Sequence, residues 1–194
     1  MTLESAPGKR ELRRKLGSVP QTLTAAEIKA YSIAARELLR GQDAWRAAKS
    51  VLFYAALPRE IDLWPLLEEG LRQGKAIALP RFVAEAGAYQ AFHIADARRD
   101  CARGKFGIIE PLGSCPPLPL KQLDLALVPG VGFDLTGCRL GRGQGFYDRL
   151  LAQFGGITCG VAFDQQIVER IPAEIHDARM NFILTPTRWL RSLE

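Results

Sequence analysis

The residues best equipped for chemistry lie between positions 129 and 149, "PGVGFDLTGCRLGRGQGFYDR". Gly137, Gly141, Gly143 and Gly145 fall within nine residues. Glycines at that density let the backbone approach an anion and turn N–H groups onto it. Arg139 and Arg142 stand among them, with forked donors that match phosphate oxygens. Asp148 follows, one turn into a helix expected over 143–155. The start of that helix would add partial positive charge. A buried strand expected over 123–130 precedes the loop, so the context is strand, glycine loop, helix, which recurs in anion sites. Known phosphate motifs do not fit. Gly-x-x-x-x-Gly-Lys-[Ser/Thr] is absent, and the dinucleotide fingerprint would need glycine at 146, where Phe146 stands. On residue type alone, a connection with solvated arginines remains open.

The elements that must position these residues read from the hydrophobic pattern. Residues 9–16, "KRELRRKL", form a short basic helix with Lys9 and Arg13 on one face. Helices that short are marginal alone, so this segment is expected to be mobile until a ligand binds. Residues 24–40 form an amphipathic helix with capping-box spacing at Thr24 and Glu27, a stop at Gly41, and an apolar stripe of Ile28, Tyr31, Ala35, Leu38 and Leu39. Strands are expected over 50–56, 75–80, 88–94, 123–130, 157–163 and 181–186, and a helix over 61–74 with Pro65 in its first turn. Residues 113–120 are a proline-rich surface connection. Strands alternating with helices imply an α/β fold: a single-domain, Rossmann-like three-layer sandwich over 1–194 with a mostly parallel central sheet. Ligands then bind beyond the carboxyl ends of the strands.

Composition narrows the chemistry. The chain has 194 residues, 26 Lys+Arg against 21 Asp+Glu, a net charge of +5 and 47% hydrophobic residues. Those are globular values, and the mild positive charge suits anionic small ligands as well as nucleic acid. Cys101, Cys115, Cys138 and Cys159 form no Cys-x-x-Cys pair and read as reduced packing residues, which suggests a cytoplasmic protein. With His93 and His176 as the histidines, and neither Gly-x-Ser-x-Gly nor His-Glu-x-x-His, hydrolase triads and zincins are poorly supported. No apolar core of a signal peptide and no run of about 18 apolar residues is seen, so no membrane association is expected.

The 129–151 segment resembles the signature of the 5-formyltetrahydrofolate cyclo-ligase family, also called methenyltetrahydrofolate synthetases. Further segments match in order: "KRELR", "ALPREID" with "ALPRF", "FGIIEP", and "GVAFDQQIVERIPAEIHDARMNFILT", so the resemblance covers about residues 9–186. It implies an ATP- and Mg²⁺-dependent ring closure of 5-formyltetrahydrofolate to 5,10-methenyltetrahydrofolate, with release of ADP and phosphate. Positioning and charge stabilisation dominate such phosphoryl transfer, so arginines, a lysine, backbone N–H groups and a metal are expected rather than a nucleophile.

Position by position, the resemblance implies that Lys9, Arg13, Arg139, Leu140, Gly141, Arg142, Gly143, Gln144, Gly145, Phe146 and Tyr147 bind ATP, with the basic helix 8–17 closing on it. It puts Arg142 first for stabilising the transferring phosphoryl group, Asp148 and Asp177 on Mg²⁺, and Leu57, Glu60 and Phe146 on the folate, with Glu60 bonded to the pterin. Read without it, Lys9 and Arg13 are a solvated basic helix, Asp148 and Glu60 helix N-terminal acids, and Asp177 a turn carboxylate. Trp64 reads as core and His176 as a loop histidine, while Glu110 is left unassigned between a structural role and an approach to the folate. Gln144 stands where some members have Lys and others Gly, and Phe146 where Tyr is common. The expected partners are the two small substrates, with no nucleic acid and no membrane, and the chain is expected to act as a monomer. Two alternatives remain: a sugar-phosphate isomerase-like enzyme on a related fold, and a non-catalytic folate- or RNA-binding relative. Retention of Arg142 and Asp148, and the absence of an aromatic-studded RNA motif, weigh against them.

Overall fold

The computed structural model describes residues 8–104, 107–174 and 177–193; His176 and Phe106 lie outside them. The chain opens with helices α1 (Lys9–Gly17), α2 (Val19–Thr22), α3 (Ala25–Arg40) and α4 (Asp43–Ala47). Then come β1 (Ser50–Leu52), α5 (Trp64–Arg72), β2 (Ala76–Val83), β3 (Ala88–Ile94), and the paired short strands β4 (Cys101–Arg103) and β5 (Ile109–Pro111). The second half runs through β6 (Leu125–Pro129), β7 (Gly132–Asp134), β8 (Arg139–Leu140), α6 (Phe146–Leu151), β9 (Ile157–Val161), β10 (Ile167–Val168), β11 (Phe182–Leu184) and β12 (Trp189–Arg191).

Seven strands form the central sheet in the order β12-β11-β9-β6-β1-β2-β3. The run from β11 to β2 is parallel, and only the edge strands β12 and β3 are antiparallel to their neighbours. The chain leaves β1 toward β2 on one side and β6 toward β9 on the other. Their connections diverge, which opens a crevice beyond the carboxyl ends of β1 and β6. The expected α/β class and mostly parallel sheet are thus observed.

Alternation along the strands divides the core in two. Val51, Leu125, Leu127 and Cys159 face a cluster with Ala35 and Leu39 of α3, Trp45 of α4, and Leu66 and Leu67 of α5. Leu52, Ala126 and Val128 face the other way, toward Phe133, Leu150, Leu151 and Ile183. Each fully buried leucine or phenylalanine contributes roughly 1.5–3 kcal/mol. The layers are unequal. Three helices cover one face, whereas the six-residue α6 and the small sheet β10-β7-β8 cover the other.

Local structure agrees with the sequence at α3. Thr24 Oγ1 accepts from the Glu27 N–H and the Glu27 carboxylate accepts from the Thr24 N–H, closing the capping box. Pro65 sits in the first turn of α5, and Trp64 packs against the first core cluster as expected. Three expectations need correction. The strand expected over 50–56 ends at Leu52: the Phe53 N–H still bonds to Ala78 O, and residues 54–63 then leave the ladder to form the loop over the crevice. The helix expected over 143–155 is only Phe146–Leu151, since the chain turns back at once and the Phe154 N–H bonds to Leu151 O. Nor does the basic helix stand alone: Leu12 and Leu16 are buried with Cys138, Leu140 and Ile171, which anchors α1 on the β7–β8 hairpin.

Candidate functional site: two cavities with a common wall

The segment read as one glycine loop is a hairpin followed by a loop. β7 and β8 pair antiparallel, with Phe133 opposite Arg139. The fully buried Asp134 holds the turn. Its Oδ1 accepts from the Thr136 and Cys138 N–H groups and the Thr136 hydroxyl, and its Oδ2 accepts from the Ile171 N–H at 2.8 Å. Hydrophobic patterning gives no signal for this buried polar anchor. The loop proper spans 141–145, where Gly143 (φ 98°) and Gly145 (φ 63°) adopt left-handed conformations that favour glycine. Gly145 then caps α6.

Of the cavities around this hairpin, two share a wall. The first, about 460 Å³, opens beyond β1 and β6 and is mainly apolar. Phe146 packs edge-to-face on Phe82 at 5.6 Å and on Tyr89 at 5.3 Å, making an aromatic wall that asks nothing of a hydroxyl at position 146. Leu57, Glu60, Arg142, Gln144 and Tyr147 also line it. Burial pushes the Tyr147 phenol pKa well up, so it stays protonated. Glu60 sits in a tight turn: its Oε2 accepts from the Leu57 N–H at 2.9 Å, and its Oε1 from Arg142 Nη2 at 2.8 Å. It is not the acid of the following helix; Asp62 has that place, accepting from the Trp64 N–H at 2.8 Å. Arg59 beside it is held in a left-handed conformation (φ 72°) by its guanidinium, which donates to Pro20 O and Leu23 O.

The second cavity, about 330 Å³, is charged. Lys9, Arg13, Arg139 and Arg149 line it together with Asp148, Glu174 and Asp177, and with Leu140, Gly141, Gly143 and Gly145. Arg13 Nε donates to Gly141 O at 2.9 Å, which ties α1 to the glycine loop. Lys9 Nζ bridges Glu174 at 2.8 Å and Asp177 at 2.7 Å. Burial lowers the lysine pKa, but these two acids more than offset it, so the net shift is upward. Buried Arg139 donates from Nη2 to Asp148 Oδ1 at 2.8 Å, and its guanidinium lies 5.5 Å from the Tyr147 ring centre.

Arg139, Gly141 and Gly145 line both cavities and are the wall between them. Lys9, Arg13, Leu140, Gly143, Asp148 and Asp177 fall in the charged cavity, while Leu57, Glu60, Arg142, Gln144, Phe146 and Tyr147 fall in the apolar one. The residues named from the sequence therefore converge, but on two compartments, and Arg142, Gln144 and Tyr147, expected with ATP alone, fall on the apolar side with Leu57 and Glu60. Arg149 and Glu174 were missed, as were Tyr89 and Glu110 as cavity residues. Only the Gly-x-x-Glu-Pro spacing around Glu110 carried a signal.

Among the described residues no three His, Cys, Asp or Glu gather into a metal site by themselves. The donor chemistry nonetheless fits Mg²⁺, which takes few protein carboxylates and completes its shell with phosphate and water. Asp148 and Asp177 line the same charged cavity, each with a carboxylate oxygen turned to a cation that a phosphate would also attract. Also among the described residues, no helix is long and apolar enough to cross a membrane.

The model of the 5-formyltetrahydrofolate cyclo-ligase family matches residues 5–186. The 5-formyltetrahydrofolate cyclo-ligase of Escherichia coli K12 is 33% identical over 145 residues, covering 73% of this chain and 80% of its own. The mouse enzyme of the same name is 27% identical over 195 residues, covering 95% of each. The solved structure of Aquifex aeolicus 5,10-methenyltetrahydrofolate synthetase superimposes with a TM-score of 0.84 and 32% identity over 96% of each chain.

Proposed function

The chain belongs to the 5-formyltetrahydrofolate cyclo-ligase family, and from that premise we propose that the charged cavity takes ATP with Mg²⁺ while the apolar cavity takes 5-formyltetrahydrofolate. The observation that carries this reading is the common wall of Arg139, Gly141 and Gly145. A phosphoryl group passing from one substrate to the other crosses there and nowhere more directly.

Four cationic side chains and three carboxylates line the charged cavity. A triphosphate alone would meet the carboxylates as repulsion; with a divalent ion it can exchange partners with them. Lys9 leaves Asp177 and Glu174 for a phosphate oxygen, and Arg139 leaves Asp148 likewise. Arg13 stays bonded to Gly141 O through Nε and offers its remaining N–H donors. Mg²⁺, held by Asp148 and Asp177, would supply neutralisation of phosphate charge.

In the other cavity, the apolar walls exclude water from the pterin and Glu60 accepts from its N–H edge. The N5-formyl oxygen attacks the γ-phosphorus and ADP leaves. N10 then attacks the formyl carbon, loses its proton, and the ring closes as phosphate departs with the former formyl oxygen. Arg142, freed from Glu60, neutralises the transferring group from the folate side; Arg139 does so from the nucleotide side.

Purified protein given 5-formyltetrahydrofolate, ATP and Mg²⁺ should develop the absorbance of the methenyl product. Failure to do so sinks the reading, and product formed without ATP sinks the mechanism. The same small-molecule reading makes a cytoplasmic monomer the expected form.

A further inference from the structure

Glu110 is the one acid of the apolar cavity that the reaction above does not use. It lies on β5, is only 5% exposed, and lines the cavity beside Tyr89 and Ile109. Its Oε1 is buried and has no hydrogen-bond partner among the described residues. Leaving a buried polar atom unpaired forfeits its hydration with nothing in return, so an unpaired oxygen on a ligand cavity calls for a ligand atom. The position is built rather than accidental. β2 continues past the end of β1, which leaves the Phe82 side of β2 without a strand, and the Phe82 N–H bonds to the Glu110 carboxyl. Gly104 makes the space: a Cβ there would lie 2.4 Å from Glu110 Oε2.

We propose that Glu110 is a specificity-determining residue that donates a hydrogen bond from Oε1 to a carbonyl oxygen on the pterin or formyl part of the substrate. The argument is one of proton placement. With Oε1 unpartnered, the Phe82 N–H falls to Oε2, so in the acid form the free oxygen to carry the proton is Oε1. Burial raises the Glu110 pKa more than the Phe82 N–H and Arg81 lower it. The titratable or charged groups facing it are Arg81 on β2 and Tyr89 on β3, whereas Arg103 on β4 donates to Gly107 O. A ring system filling the cavity would deepen that burial, which acts in the same upward direction.

The inference rests on the folate reading of this cavity. The test is direct binding of 5-formyltetrahydrofolate without ATP, by calorimetry, to the wild type, Glu110→Leu and Glu110→Gln, with thermal unfolding as a control. Gln keeps an acceptor for the Phe82 N–H and a donor toward the cavity. Kd should rise on the order of tenfold or more in the Leu variant and stay within about threefold in the Gln variant. A Leu variant that binds like the wild type overturns the proposal, and so does a Gln variant as weak as Leu, which would make Oε1 an acceptor. A wild type that binds no folate overturns the folate reading of the cavity and this proposal with it, whereas a wild type that binds while the Leu variant binds equally well overturns the proposal alone.

Discussion

Arg142 and Glu60 stand 82 positions apart in the chain and meet at 2.8 Å across the mouth of the apolar cavity. The arginine side chain is largely exposed and the glutamate largely covered. An exposed pair of this kind contributes little to stability. In the proposed reaction its consequence is functional: each partner would occupy the other's binding group until the substrates arrive.

Arg142→Ala is therefore expected to lower kcat on the order of 10²-fold, far more than it changes folate binding, because on the proposed mechanism the lost group acts on charge that develops in the transition state. Steady-state rates at saturating substrates check this. A wild-type kcat would refute the role.

Lys9→Ala should raise the KM for ATP several-fold with a small change in the KM for folate, since Lys9 lines only the charged cavity. An unchanged ATP KM would leave Lys9 as a strap between α1 and the Glu174–Asp177 turn.

Asp148→Asn removes a carboxylate from the charged cavity and the charge partner of Arg139. The Mg²⁺ dependence of the rate should move to higher concentration. Superimposable Mg²⁺ titrations of mutant and wild type would show the metal assignment to be wrong.

Asp134→Ala strips four donors of their acceptor in the buried hairpin. A loss of about 3 kcal/mol or more is expected in urea unfolding. A loss under about 1 kcal/mol would mean that the hairpin holds its shape without this anchor.

What was legible in the sequence follows short-range rules. Hydrophobic alternation gave β3 at its observed bounds and β6 and β9 close to theirs. The Thr24–Glu27 capping box gave the start of α3, whereas the helix expected from 61 begins only at Trp64, one residue before Pro65. The resemblance of the 129–151 segment gave the family, because close approach to phosphate restricts residue type at each position. What remained hidden depends on distant chain segments. That the glycine-rich stretch begins as a hairpin depends on Asp134 reaching Ile171. That α1 is anchored depends on Leu12 and Leu16 meeting Leu140. That the site residues divide between two cavities depends on where β1 and β6 diverge. The motifs in the sequence, through the family they resemble, named the groups proposed to handle phosphate and pterin. Only the tertiary structure decided which cation faces which carboxylate, because ion pairs and shared walls are set by the register of the sheet and not by separation along the chain.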